Sequence, residues 1–278
     1  VTTGKVADLF ATVLHFGARH DVYCAPATKL LETIADYGTA GLVIVDPPSL
    51  VGIGRQPDDW TTHHEQEAAL APVASGVSRV LRPGGSCICI GEPALVSAWD
   101  AACALHGLRF AGDMVVLWDE TTESAQQVYE RTLSERRRLA LLQPSVAASL
   151  FMQVHWHVKP GYRLYNQRQQ VQWDSNVLVA HRTPNVDRYC PTQRPVELFN
   201  HLISNLLSPG DLVVDPFCGS GSALVAASMC DMEWRGGDID ASMCQVARKR
   251  LGMVDTVETW NLRKLRKYKA GRLVELWE

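Results

Sequence analysis

Among its 278 residues the chain has no apolar run approaching the ~20 that a membrane-spanning helix needs, so a helical membrane protein is not expected. Its first residues, VTTGKVADLF, lack the layout of a signal peptide, and a cytoplasmic location is expected. Eight cysteines are present, at 24, 87, 89, 103, 190, 218, 230 and 244, yet none forms a Cys-x-x-Cys pair. They read as reduced core or loop thiols, with no disulfide framework and no metal site. No glycine run has the Gly-x-Gly-x-x-Gly spacing, and no lysine follows one as in a P-loop, which disfavours a dinucleotide or a triphosphate. The net charge of −3 supplies no global polycation, so any nucleic-acid contact must come from local patches. Repeats and low-complexity tracts are absent too.

What is present alternates. GLVIVD (41–46) is a continuous apolar run of the kind a buried parallel strand shows. EQEAALAPVASGVSRVL (65–81) has helical spacing and meets RPGG, a stop and turn. SCICIG (86–91) is a strand with Cys87 and Cys89 on one face. ALVSAWDAACALHG (94–107) is a helix ending at Gly107, and DMVVLW (113–118) is the next strand. LFMQVHWHV (150–158) and YRLYNQ (162–167) read as strands, and VELFNHLISNLL (196–207) as a helix. DLVVDPFCGSGSALVAASM (211–229) is strand, glycine turn and helix, followed by the strand WRGGDID (234–240) and the helix ASMCQVARKRL (241–251). This alternation predicts one α/β domain over 1–278, a mostly parallel twisted sheet with helices on both faces. The polar, then basic stretch 119–149 interrupts it as an insert.

Gly219 and Gly221 stand between a strand and a helix, where small residues admit a ligand close to the backbone and the helix N-terminus adds a favourable field. Asp215 ends the strand before the turn, and Asp238 ends the strand after the helix. Ligands of open α/β sheets bind at such strand ends, and acids there accept hydrogen bonds from ribose hydroxyls. A nucleoside-bearing cofactor with little negative charge is expected.

CPTQRPVELFNHLISNLLSPGDLVVDPFCGSGSALVAA (190–227) resembles the amino-methyltransferases that act on DNA bases. Their pattern runs H-P-T-Q-K-P, an apolar helix, S-P-G-D, a strand, then D-P-F-x-G-S-G-T. Pro191, Thr192, Gln193, Pro195, Ser208 to Asp211, Asp215 to Phe217 and Gly219 to Gly221 match it. Cys190, Arg194 and Ser222 depart from it. Asp46-Pro47-Pro48-Ser49 then resembles the family's catalytic D-P-P-Y. With the catalytic motif first and the glycine turn last, the order is the circularly permuted one of the β class, and a Rossmann-like methyltransferase fold is implied.

The resemblance implies S-adenosylmethionine as methyl donor and an exocyclic base amine as acceptor, in DNA methylation of the restriction–modification kind. The cofactor roles fall on Thr192, Gln193, Asp215, Phe217, Gly219, Ser220, Gly221 and Asp238. Asp46, Pro47, Pro48 and Ser49 are the catalytic candidates. Such an amine is a poor nucleophile, because its lone pair is delocalised into the ring. The Asp46 carboxylate and the Pro47 carbonyl would take its two hydrogens and stabilise the charge that develops. Prolines restrict φ and donate no N–H to compete. The base must leave the duplex to reach them. Asp46 favours adenine N6 over cytosine N4, since in the family Asp accompanies adenine and Ser cytosine.

Two positions break the pattern. Ser49 stands where the family carries a stacking aromatic, a contact worth ~1–3 kcal/mol per base. Trp60 or Trp118 are the candidates to replace it. Ala25-Pro26 stands where the family often has Gly-Asp beside the cofactor's adenine. These departures leave two alternatives: a methyltransferase-fold protein that binds DNA or a partner subunit without turnover, or an enzyme acting on RNA or on a modified base.

Double-stranded DNA is the expected partner, ahead of RNA. Arg136, Arg137 and Arg138 lie in the insert, where target recognition is expected, and Trp60 lies in the loop after the catalytic motif. A second basic stretch, NLRKLRKYKAGR, carries six cationic residues between Arg263 and Arg272. Such patches neutralise phosphates and make affinity salt-dependent. The adjacent His63 and His64 read as solvated surface rather than metal ligands. A homodimer or a heteromeric methyltransferase partner is implied by the resemblance.

Overall fold

The six residues Ala40–Val45 carry no charge and are buried without exception, as a strand must be when both faces of its sheet are covered. The structure, a computed structural model, describes residues 20–34, 38–48, 63–91, 93–119, 151–161, 176–181, 189–190 and 192–252. In chain order its elements are β1 (His20–Cys24), α1 (Ala27–Thr33), β2 (Ala40–Val45), α2 (His63–Val80), β3 (Leu81–Gly91), α3 (Pro93–Leu105) and β4 (Arg109–Asp119). They continue with β5 (Phe151–Val158), β6 (Val177–His181), α4 (Val196–Leu206), β7 (Leu212–Asp215), α5 (Ser222–Met229), β8 (Glu233–Asp238) and α6 (Ala241–Arg250).

The eight strands form one sheet in the order β1-β8-β7-β2-β3-β5-β4-β6. All neighbours are parallel except β5, which runs antiparallel to both β3 and β4. Alternation along the strands divides the core in two. Ile44, Ile88, Ile90 and Val213 face α4, α5 and α6. Val43, Val45, Cys87, Cys89 and Val214 face α1, α2 and α3. Helix α4 turns Leu198, Phe199, Leu202, Ile203 and Leu206 inward, the i, i+3, i+4 spacing of one apolar stripe. Ser222 to Ala227 of α5 are buried all round, which suits a helix lying under α4 against the sheet.

The winding reverses between β2 and β7. From β2 the chain crosses by α2 to β3 on one side, and from β7 by α5 to β8 on the other. In an open α/β sheet that reversal opens a crevice beyond the carboxyl ends of the two strands. Those ends are Val45, just before Asp46, and Asp215.

Three features differ from the sequence reading. RPGG is not a free turn: β3 begins at Leu81 and runs through it. Gly84 N–H donates to the Lys159 carbonyl at 2.9 Å and Lys159 N–H to the Gly85 carbonyl at 2.9 Å, so these glycines are paired as strand. Strand β4 starts at Arg109 rather than 113, matched against β5. Elements β1, α1 and β6 are short and carry little period, so only pairing reveals them: β1 on β8, β6 on β4. The expected strand at 162–167 and nearly all of the insert 119–149 lie outside the described residues.

Candidate active site

Each acid of the site arrives at the end of an apolar strand. Strand β2 delivers Asp46, followed by buried Pro47 and half-buried Pro48. Strand β7 delivers Asp215, 3% exposed, and β8 delivers Asp238. Because β2, β7 and β8 are successive neighbours, the three carboxylates stand at three adjacent strand ends.

Burial pushes the Asp215 carboxyl well above the ordinary range, an N–H from Phe217 opposes it, and the charges of Asp46 and Asp238 raise it further. Its Oδ1 accepts that N–H at 3.1 Å. Burial also raises Asp238, against the N–H groups of Asp240 and Gly219. Asp238 Oδ2 accepts from Gly219 N–H at 2.8 Å and Oδ1 from Asp240 N–H at 2.9 Å. The acid expected to meet a ribose thus also anchors the glycine turn, with one N–H on each oxygen and acceptor capacity left over.

The turn itself is built from two left-handed glycines, Gly219 at φ 49° and Gly221 at φ 80°. Gly221 N–H closes on the Cys218 carbonyl at 2.7 Å, and Cys218 N–H pairs with the Gly237 carbonyl at 2.9 Å. A Cβ on Gly221 would stand 2.9 Å from Ala247 Cβ, so this glycine lets α6 pack against the turn. A Cβ on Gly219 would meet nothing within 4 Å, so that position fronts open space. Ser220 is turned inward: buried, it donates through Oγ to Gln193 Oε1 at 3.4 Å and accepts from Arg250 Nη1 at 3.1 Å. Phe217 packs against the α1–α3 side of the core.

Arg250 was legible in the sequence only as one cation of ARKR. In the fold its Nη1 donates to the Ser220 carbonyl at 2.6 Å and to Ser222 Oγ at 3.2 Å, and its Cζ lies 5.1 Å from the centre of the Tyr189 ring. In the sequence Arg194 stands out only as a departure from lysine. Its guanidinium grips the Asp46 carboxylate, Nε to Oδ2 at 2.8 Å and Nη2 to Oδ1 at 2.9 Å. Neither contact has a local signal, since the partners are 30 and 148 positions apart.

The structure therefore gathers Asp46, Gln193, Asp215, Gly219, Ser220, Gly221 and Asp238 around one crevice, with Thr192 exposed beside them. Ser49, Trp60, Arg136, Arg137 and Arg138 lie outside the described residues, as does the C-terminal basic stretch. Trp118 belongs to β4, opposite Ala180 and three strands along the sheet from β2. At ~4.8 Å per strand its backbone is about 14 Å from β2. Among the described residues no group of three or more His, Cys, Asp or Glu is placed to hold a metal ion, and no helix is long and apolar enough to cross a membrane.

A family model described as DNA methylase, of the N6/N4 type, matches residues 40–249. The type II methyltransferase M.EcaI of Enterobacter cloacae is 35% identical over 81 residues, covering 29% of this chain and 18% of that protein. The DNA adenine methyltransferase YhdJ of Escherichia coli (strain K12) is 31% identical over 83 residues, covering 30% of this chain and 28% of that protein. The matches thus span less than a third of the length of either relative. Among solved structures, the cytosine-N4-specific PvuII DNA methyltransferase superposes with a TM-score of 0.62 at 16% identity, covering 90% of this chain and 92% of that one. The complex of M1.HpyAVI with SAM superposes with a TM-score of 0.61 at 17% identity, covering 83% and 98%. At such identities these neighbours establish the Rossmann-like methyltransferase fold. Since the family match runs over most of the chain and takes in the Asp46 turn, the glycine turn and Asp238, this chain belongs to the DNA methylase family.

Proposed function

We propose that the chain transfers a methyl group from S-adenosylmethionine to an exocyclic base amine of double-stranded DNA, adenine N6 ahead of cytosine N4. The observation that carries this reading is the trio of carboxylates at adjacent strand ends, Asp46, Asp215 and Asp238, beside a glycine turn with open space before it. A polyphosphate would meet acidic groups here and oppose their ionisation, whereas a cationic donor favours their ionised forms. The residues fit the cofactor: Asp238 keeps acceptor capacity for ribose hydroxyls, Gly219 gives close backbone approach, and Thr192 and Gln193 flank the turn. When bound, S-adenosylmethionine supplies an electrophilic methyl group on a positively charged sulfur.

The chain's own residues do the rest. Asp46 accepts a hydrogen bond from the amine and opposes the positive charge that grows on nitrogen as it becomes tetrahedral. The Pro47 carbonyl takes the second N–H. The Asp46 side chain is 16% exposed, so its interaction with the amine is partly shielded from water. Asp46 is also what favours adenine, because the family pairs that acid with N6. The insert 119–149, with Arg136 to Arg138, serves as the recognition region, and Trp60 contacts the DNA.

The test is incubation with S-adenosylmethionine carrying a labelled methyl group, on unmethylated bacterial chromosomal DNA and on RNA, followed by nucleoside mass spectrometry. N6-methyladenine in the DNA arm is expected. N4-methylcytosine alone refutes the base assignment, label in RNA alone refutes DNA, and no label in either refutes the enzyme. Ser49 is the specific feature behind a second reading, a cofactor-binding relative without turnover. That reading is selected by calorimetric binding of S-adenosylmethionine with no label transferred.

A further inference from the structure

The strap that joins residue 189 to α4 touches both motifs at once. Gln193 Oε1 accepts from Tyr189 N–H at 2.9 Å and from Ser220 Oγ at 3.4 Å, which ties the strap to the glycine turn. Arg250 adds a second tie, bonded to Ser220 and lying over the Tyr189 ring. The next residue, Arg194, reaches the other way and forks onto both oxygens of Asp46. Pro195 then enters α4 as its N-cap with φ −67°, so the strap meets the helix at a restricted backbone angle.

A guanidinium suits this contact. Its planar pair of N–H groups matches the two carboxylate oxygens and holds the plane of the carboxylate as well as its place, which an ammonium cannot do. The pair is largely withdrawn from water, with side-chain exposures of 24% for Arg194 and 16% for Asp46. Each Asp46 oxygen has two acceptor positions, so the fork leaves one on each for a base amine. Asp46 also stands within electrostatic reach of the buried Asp215 carboxyl, at the end of the neighbouring strand.

We infer that Arg194 is a positioning residue, holding the Asp46 carboxylate as an oriented acceptor for the base amine and linking it, through Gln193, to the turn that receives the cofactor. The inference rests on the proposed methyl transfer. Its action is on the reacting geometry and only weakly on cofactor affinity, because the cofactor turn keeps its ties to Gln193 and Arg250.

The experiment compares wild type, R194Q, R194K and R194A in methyl transfer to unmethylated bacterial chromosomal DNA, with S-adenosylmethionine affinity by calorimetry and folding by thermal melting. In R194Q kcat falls about tenfold to a hundredfold, the scale of a charge-assisted pair, while cofactor Kd stays within about threefold. R194K keeps the charge and loses the fork, so its kcat lies between the two. Added guanidinium ion at non-denaturing concentration restores part of the rate of R194A, an effect that a general loss of packing does not show. R194Q or R194K at the wild-type rate overturns the inference, as does a loss that appears wholly in cofactor Kd. Should wild type transfer no methyl group at all, the proposed reaction fails and this inference with it. Transfer by wild type that R194Q equals sinks the inference alone.

Discussion

Replacing Gly219 and Gly221 by alanine, one at a time, separates a glycine that serves the ligand from one that serves the fold. Both have positive φ, 49° and 80°, where an L side chain costs about 1–2 kcal/mol. They differ in what a methyl group would meet. At Gly221 it would stand 2.9 Å from Ala247 Cβ and 3.2 Å from Ala247 Cα. Ala247 is fully buried on α6, so its backbone can yield only if the helix moves, and overpacking of this kind adds about 1–3 kcal/mol. G221A is therefore expected to lose about 2–5 kcal/mol in all. At Gly219 the methyl meets nothing within 4 Å, and only the backbone strain applies. At about 2–4 °C per kcal/mol, G221A melts about 2–12 °C below G219A. Affinity runs the other way. G219A projects a carbon into the space before the turn, so its S-adenosylmethionine Kd rises about tenfold or more, the effect of forcing the ligand off the backbone. Urea or thermal unfolding of the two variants, with calorimetry on G219A, checks both halves. Equal destabilisation of the two, or wild-type affinity in G219A, would refute the reasoning.

Other expectations follow from the same structure. Asp215 holds its proton more tightly folded than unfolded, so its contribution to stability is complete below about pH 3.8 and is lost as pH rises through the folded value. D215N, which keeps an oxygen for Phe217 N–H, should therefore be more stable than wild type by about 1–3 kcal/mol at pH 7.5 and equal to it at strongly acid pH, with weakened cofactor binding; denaturant titrations across pH show whether the gap closes. His157 behaves in the opposite sense. Burial lowers it below 6.5 against the pull of Asp100, so stability is present above that pH and falls as the unfolded chain takes up the proton first. H157F should flatten that acid-side decline, leaving the part due to His201, which burial lowers as well; an unchanged slope counts against the assignment. S49Y restores an aromatic to the fourth place of the catalytic motif. Turnover should rise about tenfold or more, from stacking worth ~1–3 kcal/mol per base, and an unaltered kcat tells against Ser49 as a lining of the base site.

The cluster around His157 shows why some of the fold was illegible from one dimension. His155 Nδ1 lies 2.9 Å from both oxygens of Asp100, and His157 Nε2 approaches one of them at 3.1 Å without hydrogen-bonding alignment. HWH reads as alternation in a strand, but nothing nearby names the helix α3 that covers it. Residues 20–34 behave likewise. Strand β1 and helix α1 are only five and seven residues long, too short for a period to stand out, and they exist because β8 and the α2 side of the core receive them.

Local chemistry was enough for the rest. Apolar runs ending in acid, the two glycines between strand and helix, and the stripe along α4 each depend on backbone preference and burial within a few residues. These features determine the α/β class, the candidate acids and the turn. Strand order is another matter. Nothing within reach of residue 45 selects β7 as the neighbour of β2, more than 150 positions away, because pairing is decided by which crossovers let both faces of the sheet bury their side chains. That choice set Asp46 beside Asp215, while the packing of α6 and of the segment before α4 put Arg250 on Ser220 and Arg194 on Asp46.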